Sequence, residues 1–185
     1  MLPLLATMSF ASYADWSLVP QESDLTFTTF KKEHIAENHY FERFNAKVSS
    51  AGDVKLVIDL ASVNTNIPIR DERMKEHLFE VNRFSSATFN AKIAPSVFDE
   101  LKVGASQNVA LSGTLDLHGQ KQSLTTDVKV TRLIDGKFVV TAISPILIKA
   151  QDYALLNGVK KLQELAGLPG ISTTVPVYFS FTFQK

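Results

Sequence analysis

Residues 108–130, NVALSGTLDLHGQKQSLTTDVKV, alternate apolar and polar side chains through two runs parted by a turn at His118-Gly119. Val109, Leu111, Gly113, Leu115 and Leu117 share one phase, with Ser112, Thr114, Asp116 and His118 on the other. Beyond the turn, Leu124, Val128 and Val130 stand opposite Asp127 and Lys129. A period of two belongs to strands with one buried and one wet face.

The same alternation extends in both directions. Leu25 and Phe27 alternate with Thr26 and Thr28, and Val54, Leu56, Ile58 and Leu60 alternate with Asp53, Lys55 and Asp59. Ala87, Phe89, Ala91 and Ile93 form a further apolar face. After the turn signal Asp135-Gly136, the stretch from Phe138 to Ile148 reads as extended, and Val175, Val177, Phe179, Phe181 and Phe183 make an aromatic face near the end of the chain. Phe41 to Val48 adds another strand, which brings the count to about eight, the size at which an up-and-down barrel closes without exposed edges. The expected fold is all-β, an eight-stranded antiparallel, lipocalin-like barrel. A two-sheet sandwich is the competing architecture, because alternation does not report whether a sheet closes.

Two segments break the pattern with helical spacing. Met74, Leu78 and Val81 share a face around Arg70 to Phe79, and Leu155, Val159 and Leu162 share one in Ala154 to Ala166, with Gly167 as a stop.

Nineteen basic residues balance nineteen acidic ones, so no broad field exists to hold nucleic acid or an anionic membrane. With no cysteine, thiolate metal sites, disulfides and thiol catalysis are excluded. Met1 to Ala14 is apolar and then rich in small residues, with Ser12 and Ala14 where a signal peptidase favours them. A signal peptide over 1–14 and a single domain over 15–185 are therefore expected, in a periplasmic or secreted protein. No Lys or Arg precedes the apolar run, which reads either as a shortened start or as a buried strand. No later run approaches the ~20 apolar residues of a membrane-spanning helix.

Recognisable chemistry is scarce. His34, His39, His77 and His118 show no metal-ligand spacing, and no metal site is expected. His34 and His39 lie in a polar, loop-like stretch and read as exposed, while His118 reads as a turn residue on the wet phase. Neither a nucleophile elbow nor a phosphate-binding glycine loop is present. Arg70 and Asp71 open a helix after Ser62-Val63-Asn64-Thr65. The arginine suits either a structural ion pair at helix entry or an anionic headgroup at a barrel mouth. Thirteen phenylalanines, many on inward phases, are by periodicity alone an ordinary packed core.

Ser62-Val63-Asn64-Thr65, Arg70-Asp71-Glu72-Arg73, Phe84 and Phe89 resemble the signature of the bacterial YceI-like, polyisoprenoid-binding proteins. Gly113-Thr114-Leu115-Asp116-Leu117-His118-Gly119 is similar to that family's strand-and-turn motif, Trp16 to Pro20 with Ser23 and Phe27 to its opening strand, and Ser172 with Val175-Pro176-Val177 to its closing one. His34 to Phe44 and the helical insert Gln151 to Gly170 depart from the family pattern.

The resemblance implies a hollow barrel in place of a packed one. It would carry a long isoprenoid lipid (a quinone or polyprenyl phosphate) or a fatty acyl chain, with no catalytic cofactor and no enzyme activity. Eight strands of typical length need only about 50 residues, so the chain allows a longer barrel. Phe27, Leu56, Ile58, Phe89, Leu111, Leu115, Val128, Phe138, Phe179 and Phe181 are the expected lining. Met74 and Leu78 are expected to cover one end, with Arg70 as a headgroup contact. Expected partners are the apolar lipid, with room for transient membrane contact and a homodimer, and no nucleic acid. Two alternatives stand beside this reading: an enzyme on such a lipid using His77 or His118 with a carboxylate, and an interaction module with a filled barrel.

Overall fold

The computed structural model describes residues 15–32 and 34–185. The expected signal segment 1–14 lies outside the described residues.

The wall has eight positions in simple chain order, several occupied by a strand broken in the middle. The first is β1 (Trp16–Leu18) and β2 (Asp24–Lys31), joined by a 3-10 turn at Pro20–Glu22. The second is β3 (Ile35–Phe41) and β4 (Phe44–Val48), and the third is β5 (Asp53–Asp59) with the short β6 (Val63–Asn64). β7 (Ser86–Lys92), β8 (Ser106–Leu117) and β9 (Gln120–Arg132) follow. β10 (Phe138–Ala142) and β11 (Ile146–Lys149) share the seventh position, and β12 (Thr174–Gln184) is the eighth. Each neighbouring pair is antiparallel, and β12 closes the ring against β1 (Leu18↔Phe183) and β2 (Phe27↔Val177). This is a closed eight-stranded barrel, not a sandwich.

The segment that decided the reading is the long hairpin β8–β9, paired from Ser106↔Thr131 to Leu117↔Gln120. His118 and Gly119 both have positive φ (53° and 73°), as a tight two-residue hairpin turn requires. Gly113 sits on the inward phase because a Cβ there would stand 2.3 Å from the Asn90 carbonyl oxygen and 2.6 Å from the Phe89 ring. Any side chain at 113 would push β8 away from β7.

One end of the barrel is sealed by rings. Trp16 meets Phe138 edge-on at 4.7 Å between centroids, and Phe98, carried on the short helix α2 (Ser96–Asp99), lies 5.8 Å from Trp16 and 5.1 Å from Phe138. The other end is roofed by helical segments. α1 (Pro68–Arg73) starts on a proline, whose missing N–H would be unbonded there in any case. It widens into a π-turn over Met74–Leu78, with Phe79 N–H donating to the Met74 carbonyl at 2.9 Å. α3 (Leu156–Leu165) crosses that turn, and Gly167 (φ 60°) ends the helix as expected.

The structure corrects three expectations about elements. Phe41 to Val48 is not one strand, since it spans the end of β3 and all of β4 with a break at Glu42-Arg43. Phe138 to Ile148 is likewise divided, between β10 and β11, with Pro145 in the break unable to donate to a ladder. The stretch holding His34 and His39, read as loop-like, is mostly β3.

Candidate functional site: an apolar tunnel with a polar mouth

The barrel encloses a cavity of about 510 Å³. Its wall is built by the inward phases: Leu25 and Phe27 from β2, Leu56 and Ile58 from β5, Ala87 and Phe89 from β7, Leu111, Leu115 and Leu117 from β8, and Val175 to Phe183 from β12. Phe98 forms the floor, and Met74, Leu78, Val159 and Leu162 form the roof. Inward rings come close to one another without filling the space: Phe27 and Phe41 are 5.3 Å apart, Phe41 and Phe79 5.9 Å, and Phe179 and Phe181 4.6 Å.

Of the expected lining residues, Phe27, Leu56, Ile58, Met74, Leu78, Phe89, Leu111, Leu115, Val128, Phe179 and Phe181 all face the cavity, as does Arg70. Phe138 does not. It is wholly buried behind Phe98 in the end seal, where β10 has already passed below the cavity floor. An inward phase fixes the direction of a side chain, and its height along the barrel decides whether it meets a lumen or a plug.

The mouth is polar, and it is where sequence reading missed a residue. Thr29, Lys31, Glu37, His39, Arg70 and Arg73 line that end of the cavity. Glu37 Oε2 is shared by Lys31 Nζ at 2.7 Å and by an Arg70 guanidinium nitrogen at 2.9 Å. The hydrogen bond from Lys31, then Arg70, holds the Glu37 carboxyl below its usual range against the opposing effect of burial. Arg70 is steered from behind: another of its nitrogens donates to the Thr65 carbonyl at 2.7 Å, while the Thr65 N–H and hydroxyl both donate to Asp71. Asn64 in turn accepts from the Asn66 N–H at 2.8 Å and donates to Glu42 at 2.7 Å. Thr65, Arg70 and Asp71 are therefore one hydrogen-bonded unit that aims a guanidinium at the mouth.

His39, expected on the surface, is 2 % exposed. It lies on β3 in phase with Glu37 and Phe41, so its ring points inward and packs 5.2 Å from Phe27. Its Nε2 is bonded to the Thr29 hydroxyl at 2.8 Å, and its Nδ1 is buried without a partner, as is Arg70 Nε. Burial first, then the neighbouring Arg70 charge, pushes the imidazole down to about 4. The signal available in the sequence was the two-residue phase shared with Phe41, which the polar neighbours of His39 obscured. His34 is exposed, as expected.

The other histidines stand away from the tunnel. His118 Nε2 is 2.8 Å from a Glu80 carboxylate oxygen, under the Phe84 ring at 4.3 Å, where it ties the β8–β9 turn to the loop after the π-turn. Its side chain is mostly buried, which corrects the wet-phase reading: the positive φ at the turn rotates it off the strand alternation. His77 is 3.7 Å from Glu76. Neither histidine is among the residues lining the cavity. Among the described residues no cluster of three or more His, Asp or Glu side chains is placed to hold a metal ion, and no helix is long and apolar enough to cross a membrane.

A model of the YceI-like domain matches residues 16–183, nearly the whole described chain. The chain belongs to the YceI-like family. This YceI-like domain is 42% identical to a polyisoprenoid binding domain from Saccharophagus degradans implicated in plant cell wall breakdown, with a TM-score of 0.89 over 91% of this chain and 97% of that one. It shares its fold with BcnA of Burkholderia cenocepacia, at 16% identity and a TM-score of 0.71 over 89% of this chain and 98% of that one. The same holds for a Campylobacter jejuni YCEI protein, at 19% identity and 0.57 over 80% and 84%. No curated protein sequence matches the chain.

Proposed function

We propose that this YceI-like domain sequesters or carries a long isoprenoid-type lipid, with the tail in the tunnel and a polar headgroup at Arg70 and His39. The observation that carries the reading is a cavity of about 510 Å³, apolar along its length, whose charged lining among the described residues (Lys31, Glu37, Arg70 and Arg73) is gathered at one end. A buried polar atom without a partner costs about 1–3 kcal/mol, and two such atoms, Arg70 Nε and His39 Nδ1, stand at that end. A ligand oxygen able to accept from the Arg70 Nε–H would remove that cost. The reading draws further support from the Saccharophagus neighbour, a polyisoprenoid binding domain.

The headgroup fits a neutral oxygen better than a diphosphate. Lys31 and Arg70 already share the Glu37 carboxylate, and His39 is uncharged at neutral pH. A quinone or prenol headgroup is therefore favoured over a polyprenyl phosphate. Binding without turnover is proposed because the two histidine–carboxylate pairs among the described residues, His118–Glu80 and His77–Glu76, both lie off the tunnel. Export to the periplasm or medium is proposed on the apolar and small-residue pattern of 1–14. N-terminal sequencing of the protein recovered outside the cytoplasm, expected to begin at Asp15, checks it.

Denaturing extraction followed by mass spectrometry is expected to release an isoprenoid from the purified protein. Titration with prenyl chains of rising length is expected to show affinity climbing with each isoprene unit, since each buried methylene adds about 0.8 kcal/mol before ordering costs. Replacement Arg70→Gln should weaken headgroup-bearing prenyl ligands by about tenfold, the loss of one charged hydrogen bond. A headless hydrocarbon of equal length should bind the variant and the parent alike. Protein that is empty on extraction and indifferent to chain length would refute the carrier reading.

A further inference from the structure

The tunnel opens between three segments: the end of the β2–β3 hairpin where Lys31 pairs with Ile35, the entry to α1, and the chain that follows α3. They are tied together by the Lys31–Glu37–Arg70 ion pairs and by the bridge from Lys31 to Ile171. Outside those ion pairs the rim turns apolar. Ile67 and Ile69 line the cavity and are at the same time 43% and 59% exposed. Leu168 and Ile171 line it from the third segment, and Phe30 and Ile35 are exposed on the hairpin beside them.

Single exposed apolar side chains are ordinary on a protein surface, whereas a group of them around an opening marks a contact site. Ile67 and Ile69 cannot be accounted for as core, since water reaches them, and the turn at Asn66 with Pro68 at helix entry fixes the backbone that presents them.

We propose that this collar docks on a lipid bilayer, so that an apolar ligand passes between membrane and tunnel without crossing water. The proposal rests on the lipid reading of the tunnel. What selects a bilayer as the occupant is continuity: the residues that protrude are the same ones that line the passage, so whatever covers them also faces the lumen. A hydrocarbon tail in transit is then never wetted, whereas a long tail leaving into solvent would expose every methylene in turn. Arg70, Asp71, Glu72 and Arg73 balance one another at the collar, and the whole chain has a formal net charge of zero. Apolar insertion, not attraction to anionic lipid, must therefore supply the binding. The opposite end serves as a control: Ile134 is 91% exposed at the β9–β10 turn, but lies beyond the ring seal and lines no part of the cavity.

Flotation with phosphatidylcholine vesicles, with and without added phosphatidylglycerol, tests the proposal on the whole protein. The parent protein and Ile134→Asp are expected to float equally, and with little dependence on phosphatidylglycerol. Combined Ile67→Ser and Ile69→Ser should lower partitioning by about tenfold per isoleucine, and the corresponding pair of Asp replacements should lower it further. Polyprenol transfer from vesicles should fall in parallel. Uptake of the same polyprenol from detergent micelles keeps the two readings separate. Parent protein that takes up none from micelles refutes the lipid reading itself. Micellar uptake with no vesicle binding, or serine variants that float like the parent, overturns the collar proposal alone. Collar variants that convert a dimer to a monomer in sedimentation, with no vesicle binding by the parent, would replace the bilayer by a second copy of the chain. Circular dichroism and melting temperature identify any variant that fails to fold, and the two exposed sites allow the milder serine pair to stand in for the aspartates.

Discussion

His39 shows how one residue joins stability to the site. Lys31, Glu37, Arg70 and Asp71 all act on its imidazole, but burial has the largest effect, and the ring is held neutral down to about pH 4 against an ordinary value of 6.5. Above pH 6.5 neither the folded nor the unfolded state carries the proton. Between 6.5 and about 4 the unfolded chain takes up a proton that the barrel refuses, so stability falls as pH drops through that window and levels off below it. The loss is on the order of 1–3 kcal/mol. Thermal melts of parent and His39→Gln between pH 7 and 4 check this, with the variant expected to flatten the decline across the window. An unchanged profile in the variant would assign the acid sensitivity to other groups. The inward direction of the ring was available in the sequence from its phase with Phe41, but the polar neighbours of His39 led to an exposed reading that the structure overturns. Its burial was not legible, because Glu37, Asn38 and His39 together look like a wet loop until Arg70 of α1 arrives from far along the chain beside Glu37 and His39.

At the scale of elements, the roof depends on a close crossing. A Cβ on Gly158 would stand 2.6 Å from the His77 carbonyl oxygen and 2.8 Å from the Leu78 Cα, both backbone atoms that cannot rotate away. The replacement Gly158→Ala should therefore lift α3 off the π-turn at a cost of about 1–3 kcal/mol. The melting temperature should drop by several degrees, and a bound polyprenol should leave the tunnel faster, as stopped-flow displacement would report. Unaltered release with a lowered melting temperature would mean that α3 stabilises the fold without guarding the lumen. The wall has a second weak line. β9 pairs with β10 only from Val128 to Arg132, and β11 pairs with β12 on its other edge, so the upper halves of β9 and β11 meet without a ladder. Gln122 reaches across this seam to the Asp152 carbonyl at 2.9 Å. Helical spacing in the sequence placed both roof segments to within a few residues, because amphipathic periodicity is local. The π-turn was not legible, since its wider spacing is imposed by what Met74 and Leu78 pack against.

For the molecule as a whole, the hollow interior carries an energetic consequence. Side chains around a void lack partners on one side, and a hydrocarbon that fills it supplies those contacts. Removal of lipid by detergent exchange should lower the melting temperature, and saturation with a long polyprenol at about a hundred times its dissociation constant should restore roughly 2.7 kcal/mol. Differential scanning calorimetry of stripped and reloaded protein measures the difference. Equal melting temperatures would indicate that nothing occupies the lumen in the native protein.

The residue order alone determined most strand phases and the approximate number of wall positions, because each follows from neighbours within a few residues, while Arg70 stood out through the resemblance of its surrounding motif to the YceI-like signature. Tertiary structure decided that the ring closes on β12, that Phe138 belongs to the end seal while Phe89 faces open space, and that His39 and Arg70 converge at one mouth. Those outcomes depend on the height and tilt of each strand relative to all the others. Such relations are set by packing across the barrel, and no local periodicity encodes them.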